Sequence, residues 1–269
     1  MGLGAAVLLG IVQGLTEFLP VSSSAHLILA REFFGWDAGT FGVPFDVACH
    51  VGTLLAVLAF FRKDIGDLLR AVPSALSRNP GPAGRRVWLI VAGTVPIVIV
   101  GLLFADWLEE NLRGPWVAAL ALAAGAMLLL IVERLSPRVK GEEALTMPGA
   151  FLIGIGQAAA LIPGMSRSGT TIAAGMALGL RREVAARFTF LMSAPAVAAA
   201  AVKEGLEMRT VPPDASMALL MAVGLVTSGV VGYLTVKYFL KFLASNRLDV
   251  FAYYRLALAA FAVAWLVWK

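Results

Sequence analysis

Charge, cysteine and histidine are scarce in this chain: 14% of its 269 residues are charged, there are two histidines, and Cys49 is the one cysteine. A lone cysteine excludes an intrachain disulfide. Two histidines among scattered carboxylates, without zinc-type spacing, exclude a structural zinc site. No Lys or Arg precedes Arg31, so the start MGLGAAVLL lacks the basic region of a cleavable signal and is expected to be mature sequence despite its Met-Gly. Basic and aromatic residues are not interleaved as in chains that stack on bases, which argues for no nucleic acid partner.

What the chain has instead is apolar length. It is 59% hydrophobic with a mean hydropathy of +0.84, beyond the range of a soluble domain. The expected fold is an all-α polytopic membrane protein forming a single integral membrane domain over 1–269. Six segments are predicted to span, at about 45–61, 87–104, 116–132, 188–202, 215–236 and 250–268; the fourth is short for the roughly 20 residues a bilayer core requires.

Two further apolar regions, about 4–34 and 150–180, are broken by a proline followed by small polar residues, LPVSSSAH and IPGMSRSGTT. The first arm, about 4–19, would rise only about 24 Å against a core of about 30 Å. Irregular backbone at membrane depth needs protein or a cavity around it. Each region therefore reads as a re-entrant helix-loop-helix hairpin, an ordinary kinked span being the alternative. The stretches beginning at Gly10 and Gly154 also resemble each other, with Gln13 matching Gln157 and Pro20 matching Pro163. Three spans follow each hairpin, and an odd number inverts the second copy. The expectation is inverted-topology repeats at about 1–135 and 145–269 with a site at their interface.

Basic residues orient the chain. With the N-terminus outside, the inside loops 62–86, 133–149, 181–187 and 237–249 hold fifteen Lys and Arg, against Arg31, Arg113, Lys203, Arg209 and Lys269 outside. Both termini are expected outside, and topology accounts for the pI near 9.7.

The polar loops suggest chemistry. Ser22 to Ser24 and Ser166 to Ser168 open the second arms; serine caps helix N-termini, which present unpaired N–H groups and attract anions. Arg167 adds a full charge suited to phosphate, so the expected occupant is a phosphate or diphosphate. Glu17, His26 and a serine supply a carboxylate, an imidazole and a hydroxyl for phosphoryl transfer or for positioning water. Glu17 is free to bind a shared divalent cation or to pair with Arg167, which would make the pair structural. Thr170, Thr171 and Gln157 are expected to cap or bridge, Thr171 being the better phosphate contact. Asp46 and His50 read as end-of-span or supporting groups.

QGLTEFLPVSSSAH, Gln13 to His26, and PGMSRSGTT, Pro163 to Thr171, resemble the motifs of the bacterial undecaprenyl-diphosphate phosphatase family associated with bacitracin resistance. The resemblance implies a plasma (inner) membrane hydrolase that removes the terminal phosphate of undecaprenyl diphosphate and recycles the carrier lipid for peptidoglycan, supporting cell wall and cell shape. It implies catalytic roles for Glu17, Ser23 as nucleophile, His26 as its proton-transfer partner, and Arg167. Ser22, Ser24, Ser166, Ser168, Thr171 and Gln13 become substrate-binding residues, and Glu17 the ligand of Mg2+ or Ca2+. Gln13 stands where the family's paired-acid motif begins, and a neutral amide cannot act as a base. Ala25 should stiffen the loop against a left-handed backbone. The partners are a polyprenyl diphosphate and membrane lipids, the tail requiring a lipid-accessible groove. Monomer and homodimer both remain open. A lipid-phosphate flippase is the rival, since it would need the same anion-binding loops.

Overall fold

A computed structural model describes residues 2–36, 40–207 and 213–269, which fold as eleven α-helices and one 3-10 turn. Arg209, counted above among the outside basic residues, lies outside the described residues. Six helices are long and apolar enough to cross a membrane: α3 (Val43–Phe60), α5 (Gly81–Leu112), α6 (Pro115–Leu135), α9 (Arg182–Glu207), α10 (Ala215–Leu243) and α11 (Asp249–Trp268). The chain is an all-α polytopic membrane protein.

The fourth span is not short. α9 begins at Arg182, six residues before the apolar run, because its charged first turns are held by ion pairs: Arg182 bonds Glu133 and Arg187 bonds Asp64. Segment 62–86, expected to be a loop, contains the amphipathic helix α4 (Arg62–Ala75). It buries Ala71 and Ala75 and leaves Leu69 and Val72 exposed.

Both broken regions are helix, break, helix. α1 (Gly2–Thr16) is followed by α2 (Ser23–Phe34), and α7 (Met147–Ala159) by α8 (Arg167–Ala177). Fifteen residues give α1 a rise of about 22 Å. The packing partners are exchanged along the chain: α1 lies on α10 and α7 on α5, while α3 meets α9 and α6 meets α11. Small residues permit this. A Cβ on Gly14 of α1 would come within 2.7 Å of Val231 Cβ and 2.8 Å of the Ser228 carbonyl oxygen on α10, and one on Gly154 of α7 would strike the Gly93 carbonyl of α5. Backbones that approach this closely gain dispersion contacts, which drive helix association where lipid removes the hydrophobic incentive.

Buried charges at the helix ends are paired. Asp46 is held by Arg31 and Arg113 near the start of α3. The fully buried Glu133, at the end of α6, collects Arg138, Arg182 and Arg247.

Candidate active site

The two loops, 17–22 and 160–166, are built alike. Ser22 has φ 72° and ψ 95°, and Ser166 has φ 69° and ψ 112°. Positive φ in a residue with a Cβ is strained and persists only where the surroundings over-determine it. Here each serine caps its helix: Ser22 Oγ accepts from the Ala25 N–H at 3.4 Å and Ser166 Oγ from the Gly169 N–H at 3.1 Å. Each also bonds the hydroxyl two residues on, Ser22 to Ser24 and Ser166 to Ser168, both at 3.2 Å. The strained backbone is therefore at the caps, whereas Ala25 is helical.

The loops are tied to one another. Ser168 Oγ donates to the Leu19 carbonyl at 2.8 Å, and the Gly164 N–H donates to Ser24 Oγ at 3.4 Å. Beneath both lies Arg255 of α11, 0% exposed. Its guanidinium donates to the carbonyls of Pro20 in the first loop, Gly164 and Met165 in the second, and Ala121 and Leu122 of α6, at 2.9 to 3.3 Å. Among the described residues no carboxylate pairs with it. Gly125 and Gly169 make its socket: a Cβ on Gly169 would lie 2.9 Å from Nη1, and one on Gly125 would overlap Nη2. Sequence reading missed Arg255, although an arginine inside an apolar span was itself a signal.

Glu17 is where the halves meet. Its Oε2 accepts from Ser23 Oγ at 2.7 Å and Gln13 Nε2 at 2.9 Å, and its Oε1 accepts from Arg167 Nη2 at 2.7 Å. Ser23 is the first residue of α2 and Arg167 the first of α8, so two helix N-termini reach one carboxylate. The Glu17 side chain is 8% exposed. Arg167 uses one N–H on Glu17, leaving the rest of its fork for another anion. His50 also stands here, its Nδ1 3.0 Å from Gln13 Nε2 and 3.5 Å from Glu17 Oε2.

Other expected partnerships are not made. Ser23 bonds Glu17 rather than His26. His26 Nδ1 donates instead to the Ser22 carbonyl at 2.7 Å, and its Nε2 is 2.7 Å from the Tyr254 hydroxyl. Thr171 is buried and donates to the carbonyls of Arg167 and Ser168 in its own helix, and Thr170 to those of Ser166 and Arg167. Gln157 bonds the Gly93 carbonyl at 3.3 Å, so it bridges to α5. Gln13 Oε1 is buried without a hydrogen-bond partner. Among the described residues no group of three or more His, Cys, Asp or Glu is placed to hold a metal. An apolar groove of about 480 Å³ lies between α3 and α10. Another of about 230 Å³ lies between α6, α7 and α8, lined by Leu128, Leu152, Gly156, Met165, Thr170 and Ala174.

A carboxylate, a hydroxyl and a guanidinium are joined at two helix N-termini inside the apolar bundle of a polytopic membrane protein. The chain belongs to the family described as Bacitracin resistance protein BacA, whose model matches residues 6–261. It is similar to the undecaprenyl-diphosphatase of Rubrobacter xylanophilus, 48% identical over 265 residues that cover 97% of each chain. It is also similar to the undecaprenyl-diphosphatases of Aliivibrio salmonicida, 43% identical with 97% of each chain covered, and Geotalea daltonii, 43% identical with 98% of each covered.

Proposed function

We propose that the chain is an undecaprenyl-diphosphate phosphatase of the bacterial plasma membrane, hydrolysing the lipid diphosphate to undecaprenyl phosphate and inorganic phosphate. The relatives' names supply the substrate, and one observation carries the chemistry: Glu17 accepts hydrogen bonds from both Ser23 and Arg167. A carrier would need Arg167 and the helix ends but has no use for a serine hydroxyl bonded to a carboxylate, and no relative named above is a carrier.

In this reading Ser23 Oγ attacks the terminal phosphorus and its proton passes to Glu17 Oε2, 2.7 Å away. Arg167 and the first turns of α2 and α8 stabilise charge on the phosphoryl oxygens as it develops. Ser22, Ser24, Ser166 and Ser168 act mainly by shaping the loops, and Thr171 by holding the first turn of α8. The groove between α6, α7 and α8 reaches Met165 of the second loop, which suits it to the isoprenoid tail.

Re-entry of the two hairpins from opposite faces, inverted repeats at about 1–135 and 145–269, and termini outside belong to the same proposal. The exchanged packing of α1 on α10 and α7 on α5 supports the repeats, and the distribution of basic residues supports the orientation.

A divalent cation, Mg2+ or Ca2+, is also proposed. Among the described residues no group of three or more His, Cys, Asp or Glu is placed around Glu17, so a centre made of protein ligands alone does not fit. A cation shared with the substrate does fit, held by Glu17, the unpartnered Gln13 Oε1 and phosphate oxygens. When bound it would neutralise phosphate charge.

Phosphate release from farnesyl or undecaprenyl diphosphate by the purified protein in detergent tests the reading. Wild type should turn over, and Ser23→Ala and Arg167→Ala should each lose at least about a hundredfold. No release by wild type with any of several divalent cations, or a Ser23→Ala variant of undiminished rate, would overturn it.

A further inference from the structure

Hydrolysis through a serine nucleophile moves two protons, and Glu17 holds only the first. Attack transfers the Ser23 proton to Glu17; the bond from Ser23 Oγ to phosphorus forms, the bridging P–O bond breaks, and the lipid monophosphate leaves with its electron pair. Water must then attack the phosphoserine. Glu17, now protonated, cannot accept from that water and is suited to return its proton to Ser23 Oγ as the P–Oγ bond breaks. The water's proton needs a second base.

The structure holds one a helical turn from Ser23. His26 follows Ser23 by three residues on α2, a spacing that places both on one face. Its Nδ1 is committed as a donor to the Ser22 carbonyl at 2.7 Å, because a carbonyl only accepts. The free lone pair of neutral His26 is therefore on Nε2, and it is directed at the hydroxyl of Tyr254, 2.7 Å away. The two rings are stacked, with centroids 5.6 Å apart and planes 7° from parallel, so the imidazole is held against rotation. Tyr254 is itself fixed by sequence: the next residue, Arg255, is anchored by its five carbonyls. Tyr254 is 46% exposed, whereas the Glu17 side chain is 8% exposed.

We propose that the site runs two proton pairs, Glu17 with Ser23 for attack on the diphosphate and His26 with Tyr254 for the water that completes the reaction. The water's proton passes to the Tyr254 oxygen as the phenol's own proton moves to His26 Nε2, 2.7 Å away, inorganic phosphate leaves, and the imidazolium then returns its proton to water. Tyr254 is the relay between the water and His26. A phenol both donates and accepts, so its O–H donates to neutral His26 before the step and its oxygen accepts from the imidazolium afterwards. A second carboxylate in that place could do only the latter.

This inference rests on the phosphatase reading, and pre-steady-state burst kinetics separate the two. Full-length protein in detergent is mixed rapidly with excess farnesyl diphosphate, and farnesyl monophosphate and inorganic phosphate are followed separately. Tyr254→Phe, which retains the ring, and His26→Gln should each release a burst of monophosphate approaching one per protein. Inorganic phosphate should lag, and steady turnover should fall about tenfold or more. A purely structural role for Tyr254 would slow both products together without a burst. That result in either variant would overturn the proposal, and in His26→Gln it would assign His26 to the first step; a Tyr254→Phe enzyme with the wild-type rate would overturn it too. Failure of wild type to release any monophosphate would instead remove the phosphatase reading itself.

Discussion

Arg255→Met is the most informative single substitution in this molecule. Of the five carbonyls that Arg255 holds, those of Ala121 and Leu122 lie within α6 and retain their helical partners. The carbonyls of Pro20, Gly164 and Met165 accept no other backbone hydrogen bond among the described residues. Methionine leaves these three buried acceptors unpaired at about 1–3 kcal/mol each. Removing a buried charge that has no carboxylate partner offsets part of this. A net loss of about 3 kcal/mol follows, which lowers the thermal midpoint by about 6–12 °C in a chain of this size. Turnover should fall further than stability, about a hundredfold, because the loops that register Ser23 against Arg167 lose their common anchor. Thermal unfolding in detergent and phosphate release measure the two effects. Gly125→Ala sharpens the test, since its Cβ would enter the guanidinium's place; in the Arg255→Met background it should cost much less, so the double variant should lose less than the sum of the two single losses. An Arg255→Met protein with wild-type midpoint and turnover would refute the claim that the loops depend on this residue.

Arg167→Lys keeps the charge but loses the planar fork, so phosphate release should fall about tenfold to a hundredfold while the midpoint moves less than in Arg167→Ala, which strands Glu17. Gly14→Val should lower expression and midpoint sharply, because the added methyls would occupy space held by Val231 and Ser228; normal stability would mean that α1 can shift away from α10 freely. Titration with Ca2+ should show little binding to the free protein and clear binding when methylenediphosphonate is present. Equal affinity in both cases would point to a site independent of substrate phosphates.

The spans, the two breaks and the serine-capped loops were legible because these are written in local signals: hydropathy, Pro20 and Pro163, and serines at the caps. Sequence reading also paired Glu17 with Arg167 as one of two options, since a desolvated arginine requires an anion. Tyr254 escaped because its partner is 228 residues away and nothing local distinguishes it from Tyr253. α4 escaped because its charge masked a helical spacing of apolar residues, Ile65, Leu68, Leu69 and Val72. The pairing of Ser23 with Glu17 rather than His26 depends on the rotation of α2 about its axis. Ser22's backbone sets that rotation, and sequence motifs do not encode it.

Exchange of helices between the two ends of the chain makes it indivisible. Severed in the connection after α6, the leading fragment would keep α5 but lose the α10 surface that α1 rests on, and the trailing fragment would keep α10 but lose the α5 surface beneath α7. Neither piece could shelter its own bent arm from lipid. Co-production of both should restore a working enzyme where either alone yields only material for proteolysis, so the unit of folding and of activity is the entire pair.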